Sequence, residues 1–306
     1  MTSLTKVNRF PDSLYNIALE KATNLLSQAF NNQCVTKNPF LNTLLPRQVA
    51  ATLLQKISQD STISIHSALV AQFIVFQSPN PLILSQSSFN VEEVVRQFLS
   101  KSAPLSITAT EISQTNITPE IARFFTEKCP CLQIFKISQC SFPSNGLAVL
   151  LNGLNPQQLG QLELSYVVLS SDDVKLLAEY LKNATPSLQR LTLENLLFED
   201  ESNKDILTQK LLLSLIEHPS LLSLQYQNNG LGSKSITAMK GVIESCPALK
   251  EVKFTFDLFS DPGSQELLPA LEKKSQFILD LSENYLNAAS SLQFLKTGKA
   301  IIQHTA

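Results

Sequence analysis

The sequence predicts an α/β solenoid: short parallel strands stacked side by side and backed by helices, with a separate helical unit in front. Three observations predict it. A pattern L-x-x-L-x-L-x-x-N-x-L recurs, clearest at Leu221, Leu224, Tyr226, Asn229 and Leu231, and at Leu132, Phe135, Ile137, Cys140 and Phe142. Its first position falls at Pro79, Ile107, Leu132, Leu159, Leu188, Leu221, Leu249 and Gln276, giving steps of 28, 25, 27, 29, 33, 28 and 27 residues. A helix start signal follows the strand in each well-formed repeat. A fixed period of this size fixes the architecture before any single residue is interpreted.

Each repeat justifies its own elements. Leu162/Leu164, Leu191/Leu193, Val252/Phe254 and Leu279/Leu281 alternate with polar neighbours, so each short strand buries one face. Ser171-Asp172-Asp173 precedes Val174, Leu176, Leu177 and Leu181, and Thr118-Pro119-Glu120 precedes Ile121, Phe124 and Phe125. Ser, Thr and Asp accept the free amides of a first helical turn, and Pro fits where no amide proton is needed. Neither strand nor helix can bury its apolar face alone, so neighbouring repeats stack. The Asn position of the pattern reads Ser87, Thr115, Cys140, Val167, Leu196, Asn229, Asp257 and Asn284. With so few amides there, an irregular stack is expected, with some loops held by packing. The longest step contains Glu199-Asp200-Glu201-Ser202-Asn203-Lys204-Asp205, read as a solvated charged loop, with a partner-contacting rim loop as the sharper alternative.

Residues 10 to 76 lack the repeat. Pro11-Asp12-Ser13 opens a helix carrying Leu14, Ile17, Ala18 and Leu25; Pro46 opens a second with Val49, Leu53, Leu54 and Ile57; a third runs through Ile65, Leu69 and Phe73. The division is therefore an N-terminal helical unit over 1–76 and a solenoid with its C-terminal cap over 77–306. The plain role of the first unit is to cover the first repeat's core edge.

Residues 79 to 287 resemble the leucine-rich-repeat family, in its ribonuclease-inhibitor-like type. The resemblance implies a right-handed solenoid with a curved parallel sheet inside and helices outside. It also implies that the pattern's Asn is a buried amide serving loop backbone groups. Ser13-Leu14-Tyr15-Asn16-Ile17-Ala18 through Ala22 and Leu25 resembles the elongin-binding box. Leu45-Pro46-Arg47-Gln48-Val49 through Leu53-Leu54 resembles the cullin-contacting segment that follows such boxes. The order of box, Leu-Pro helix and leucine-rich repeats looks like the Zyg- and Zer-type receptors of elongin-dependent cullin–RING ubiquitin ligases. What this implies is an adaptor: Leu14, Ala18, Ala22, Leu25, Leu45, Pro46, Val49 and Leu53 would dock elongin B/C and a cullin, and the repeats would hold a substrate. The chain departs from the pattern at Ala18, where Cys is usual, and at Ala22, small for its aliphatic position. The first of these implies weaker docking by about 1 kcal/mol. Leu45-Pro46 with Val49 and Leu53 also suits an F-box opening, but that motif's later Trp has no counterpart, since the chain has none.

Composition narrows the function class. A net charge of −2 over 306 residues, without a basic stripe, gives no electrostatic case for nucleic acid. Apolar runs such as Leu211 to Ile216 are too short to span a membrane, and Met1 to Pro11 shows no secretory signal. The cysteines are Cys34, Cys129, Cys131, Cys140 and Cys246; the odd count and the lack of a framework point to a reducing, cytoplasmic compartment. His66, His218 and His304 have no partner at a metal or catalytic spacing. Gly230-Leu231-Gly232-Ser233-Lys234-Ser235 lies where every repeat turns from strand to helix and is read as a turn, not a phosphate loop. The expectation is a non-enzymatic protein-interaction scaffold, without metal or cofactor. A second reading stays open: a leucine-rich-repeat effector or inhibitor that binds a target protein directly, its N-terminal helices only a cap; richness in Asn, Gln, Ser and Lys would suit a bacterial effector acting in a host cytosol.

Three columns of residues are expected to face the concave side. Between the apolar pair stand Lys136, Glu163, Thr192, Gln225, Lys253 and Asp280. After it come Ser138, Ser165, Glu194, Gln227, Thr255 and Ser282, and next Gln139, Tyr166, Asn195, Asn228, Phe256 and Glu283. At about 4.8 Å per strand, eight strands give an edge of roughly 34 Å, suited to a protein surface or extended peptide. Tyr166 and Phe256 are the expected aromatic anchors.

Overall fold

A computed structural model describes residues 82–85, 91–99, 107–183, 187–230, 232–255 and 265–303. The expected N-terminal helices, Ser87, Phe256, Asp257, His66, His304 and Cys34 lie outside the described residues. The strands are β1 (Leu82–Ser85), β2 (Ala109–Ser113), β3 (Ile134–Ser138), β4 (Gln161–Ser165), β5 (Val168–Leu169), β6 (Arg190–Glu194), β7 (Leu197–Phe198), β8 (Ser223–Gln227), β9 (Glu251–Thr255), β10 (Ile278–Asp280) and β11 (Ala300–Ile301). Nine form one sheet in the order β1-β2-β3-β4-β6-β8-β9-β10-β11, and β5 pairs with β7 apart from it. Every pairing is parallel and in register.

One row of partners runs Leu82, Thr110, Phe135, Leu162, Leu191, Leu224, Val252 and Leu279, three residues after the pattern's first position in each repeat. The expected apolar pairs are all buried. The sheet exceeds the expected eight strands, because Ala300–Ile301 adds a ninth that carries no trace of the pattern.

Helices follow the strands: α1 (Val91–Leu99), α2 (Pro119–Arg123), α3 (Gly146–Gly153), α4 (Ser171–Asn183), α5 (Lys204–Leu213), α6 (Ser233–Ser245), α7 (Leu268–Lys273) and α8 (Ala288–Lys296). Successive helices pack on one another from α4 to α5 to α6. Thr118 caps α2, accepting from the Ile121 amide, and Pro119 takes the first turn. The cap of α4 lies one residue earlier than the expected Ser171. Ser170 Oγ accepts from the Asp173 amide at 3.1 Å while Asp173 Oδ2 accepts from the Ser170 amide at 3.0 Å, a reciprocal capping box.

The charged loop is also shorter than expected, for Lys204 and Asp205 already belong to α5. Asp205 caps the next helix, accepting from the Lys234 and Ser235 amides at 3.3 and 3.1 Å. A Cβ at Gly232 would sit 2.4 Å from the Asp205 carboxyl carbon and would have to displace this cap. A carboxylate from the preceding repeat thus fills the start of α6, where a phosphate loop would hold an anion, and Gly230 ahead of it has φ +68.

The column of the pattern's Asn divides by chemistry. Asn229 Oδ1 accepts from the Leu196 amide at 2.6 Å and Nδ2 donates to the Leu193 carbonyl at 2.9 Å. Asn284 donates to the matching carbonyl of its own preceding repeat, Phe254, at 2.5 Å. Cys140 Sγ makes a weaker version, 3.7 Å from the Ile112 carbonyl and 3.1 Å from that of Ser138. Thr115 reaches only its own strand, at the Ser113 carbonyl, 2.8 Å away. Val167 and Leu196 have no polar group, and there the backbone pairs with itself: Leu197 N donates to Val167 O at 2.9 Å and Glu199 N to Leu169 O at 3.1 Å. Those two loops are therefore held by the β5–β7 ladder as well as by packing, a correction to the expectation of packing alone. Asn229→Ala removes the partner of the buried Leu196 amide, and is expected to lower unfolding free energy by about 1–3 kcal/mol in urea titration. An unchanged midpoint would show that the side chain is dispensable.

A candidate protein-binding face

The side chains between the buried pairs turn away from the core and remain half-exposed. Lys136, Glu163, Thr192, Gln225, Lys253 and Asp280 stand side by side, one per strand, because the pairing is in register. Lys136 Nζ lies 3.0 Å from Glu163, and Lys253 lies 3.5 Å from Glu251. Glu251 also accepts from Ser223 Oγ at 3.1 Å, and Glu194 from Ser165 Oγ at 3.4 Å. Exposed pairs of this kind contribute at most about 1 kcal/mol each. Of the second column, Glu194 and Gln227 are half-exposed, whereas Ser165, Thr255 and Ser282 are buried.

The third column has a shared backbone cause. Gln114, Gln139, Tyr166, Asn195, Asn228 and Glu283 all have left-handed φ, between 48 and 60. Each donates its amide to the next repeat just beyond the strand; Gln139 reaches Ser165 O at 2.9 Å, Tyr166 reaches Glu194 O at 2.9 Å and Asn228 reaches Thr255 O at 2.9 Å. The turn continues the ladder by one bond and throws this side chain onto the rim. Asn228 Nδ2 donates to Asn195 Oδ1, linking the amides of two repeats. Tyr166 is 48% exposed, so it is not tucked against its neighbours.

Beside Tyr166, Val168 and Leu197 are exposed too, at 37% and 47%. With Gln139, Asn116 and Cys140 they border a shallow depression of about 440 Å³. Sequence reading singled out Tyr166 but not Val168 and Leu197; both stand nine positions into their repeats, a column it did not inspect. On the helical side, Leu151, Leu154, Leu176 and Tyr180 border a cavity of about 240 Å³.

Three of the described thiols are buried. Burial pushes the Cys129 thiol up to about 12 and Cys140 to about 11, and raises Cys246, so these thiols stay protonated and weakly nucleophilic. Cys129, His218 and Cys246 occupy the same place, three residues before the pattern's first Leu, and Pro follows each. That Xaa-Pro-Xaa-Leu recurrence is a second signature of the repeat that the sequence reading passed over. Among the described residues no three His, Cys, Asp or Glu side chains gather at a metal-binding distance, and no helix is long and apolar enough to cross a membrane.

Comparison with known proteins adds two likenesses. No known family signature matches the chain, and no curated protein matches it. Among solved structures it is similar to the Rad7 and Elc1 complex of yeast, at 13% identity and a TM-score of 0.32 over 98% of each chain. It is also similar to a Bacteroides fragilis protein, at 15% identity and a TM-score of 0.39 over 69% of each. Overlaps this low say nothing of partners, and the fold stands on its own hydrogen-bond register.

His218 is buried, and neither ring nitrogen has a partner among the described residues. Burial lowers its pKa below the ordinary value of about 6.5, so the native state resists a proton that the unfolded chain takes. Stability is therefore expected to fall as pH drops below about 6.5. Urea midpoints of His218→Phe should lack that part of the slope; matching slopes in wild type and variant would place the sensitivity elsewhere. Tyr166 sits in a left-handed turn that favours Asn, so Tyr166→Asn should raise stability by about 1 kcal/mol. A lower melting temperature would show that the ring supports the fold.

Proposed function

We propose that the chain is a leucine-rich-repeat solenoid acting as a non-enzymatic protein-binding scaffold, with the open sheet face and its rim taking the partner. The observation that supports this is the face itself. Successive in-register strands present polar rows that end in a rim of amides around Tyr166, Val168 and Leu197. Such a surface is broad and shallow. It offers an extended partner many contacts and gives a small metabolite little enclosure. An apolar centre ringed by polar groups also matches how protein interfaces are built.

The more specific part of the proposal is a substrate-recognition role in a cullin–RING ubiquitin ligase. It rests on the sequence segments Ser13–Leu25 and Leu45–Leu54, which would dock elongin B/C and a cullin while the repeats hold the substrate. Leu14 is the natural residue to probe, since it stands at the apolar anchor of the box. Purified chain mixed with elongin B/C should co-elute in size-exclusion chromatography, and Leu14→Asp should abolish the complex. Separate elution, or a complex indifferent to Leu14→Asp, removes the ligase part and leaves the scaffold reading to stand on the sheet face.

A further inference from the structure

The outward side chains of the rim follow an order along the chain. β5 and β7 pair with Val168 beside Leu197, and their ladder runs on to Glu199, whose amide donates to Leu169 O at 3.1 Å. Side chains alternate along such a segment. Val167, Leu169, Leu196 and Phe198 are accordingly buried, while Tyr166, Val168, Leu197 and Glu199 are exposed. Carried along the register, the outward positions set Tyr166 beside Asn195, then Val168 beside Leu197, then Ser170 beside Glu199. Each step is two residues of extended chain, about 6.6 Å. The steps differ in charge. Toward Gln114, Asn116, Gln139 and Ser141 the depression has no charged residue. Beyond Leu197 the chain reads Glu199-Asp200-Glu201, and Asp172 stands in the first turn of α4. Lys175 holds Asp172 at 2.6 Å, Lys204 lies 3.7 Å from Glu201, and Asp200 accepts from Ser202 and Asn203. Glu199 has no ion pair or side-chain hydrogen bond among the described residues. It differs in this from Glu163, Glu194 and Glu251 on the open face, which a partner's cation would have to take from existing partners.

We propose that the rim binds an extended peptide segment carrying a large apolar residue with Lys or Arg two positions away, the apolar side chain seated on Val168 and Leu197 and the cation on Glu199. This rests on the reading of the rim as the partner-binding surface and adds what that surface selects. Side chains two apart in an extended peptide share a face and are spaced like Leu197 and Glu199, so one ligand strand meets both at once. The same arrangement rejects the opposite pattern. A ligand carboxylate two positions from the anchor would meet Glu199, and a charge at the anchor would lose its water against Val168 and Leu197 with nothing to pair it. Tyr166 and Asn195 are neutral and set no charge requirement on the anchor's other side.

Selection of the full chain against a phage-displayed library of random linear peptides, about twelve residues long, tests this. Enriched sequences should carry Leu, Ile, Met or Phe with Lys or Arg two positions away. The winning peptide, synthesised with a fluorophore, is then titrated by anisotropy. Leu197→Ala should weaken its binding at least about fivefold, and Glu199→Gln about twofold to fivefold. Neither should change the melting temperature, since both side chains are exposed. Repeating the selection on Glu199→Lys should exchange the Lys or Arg for Asp or Glu, an outcome that loss of structure would not give. Enriched peptides that lack the basic residue, or a basic preference that survives Glu199→Lys, overturn the inference; if their binding is still lost in Leu197→Ala, the rim remains the binding surface. No enrichment, or a peptide indifferent to Leu197→Ala, overturns the inference and the rim's role together.

Discussion

The parallel in-register pairing of one repeat on the next is the constraint from which the rest of the molecule follows. Side chains on a strand alternate between faces, so a slip of one residue would expose Leu191 and Leu193 and bury Thr192. Every repeat therefore has to enter its strand at the same phase. It also has to leave at the same phase, and the left-handed residue after each strand does that. Its amide bonds the neighbouring strand end, and the chain turns toward the helix layer. Six non-glycine residues accept a conformation that disfavours them, Tyr166 among them. The backbone bonds to the next repeat offset that strain.

The loops beyond the strands have no such uniform solution, and the sequence shows why. A buried loop must find partners for its amides and carbonyls. Asn229 and Asn284 supply them from one side chain each, and Cys140 does so weakly. Where Val167 and Leu196 stand, the loops straighten enough to pair with each other as β5 and β7. Polar links between repeats recur on the helical side. Asp205 caps α6, Lys274 donates to the Cys246 carbonyl at the end of α6, and Lys299 donates to the Leu271 carbonyl near the end of α7. Cations at helix C-termini and a carboxylate at an N-terminus also suit the helix dipoles. Each repeat thus depends on its neighbours for polar satisfaction as well as for core.

What was legible in the sequence was periodic. The pattern placed β1, β2, β3, β4, β6, β8, β9 and β10 in the correct register, because burial on one face writes a regular alternation. What was not legible depended on contacts across repeats. The Thr208–Tyr226 hydroxyl pair, at 2.8 Å, explains how a Tyr sits wholly buried in a Leu column, yet Thr208 belongs to a helix 18 residues earlier. The ninth strand was invisible because Ala300–Ile301 is too short to show an alternation. At the rim, Tyr166 was found by its chemistry. Val168 and Leu197 were missed because an aliphatic residue in a repeat is read as core unless its column is examined. The candidate docking residues from Leu14 to Leu53 lie outside the described residues, so the structure bears on the repeats and not on them.

The way charge is arranged on the open face limits the kind of recognition it supports. Lys136 pairs with Glu163 and Glu194 accepts from Ser165 across neighbouring strands, and Lys253 pairs with Glu251 along β9. A charge already paired loses that pairing when a partner approaches, so it adds little net affinity. With a net charge of only −2, the chain also has little field with which to steer a partner from a distance. The groups best able to contribute are therefore the neutral ones: the amides of Gln139, Asn195 and Asn228 and the apolar trio of Tyr166, Val168 and Leu197. These cluster at the rim and not at the centre of the strands, because the left-handed turn projects them there. The same backbone feature that keeps the repeats in phase thus builds the part of the surface best suited to hold a partner.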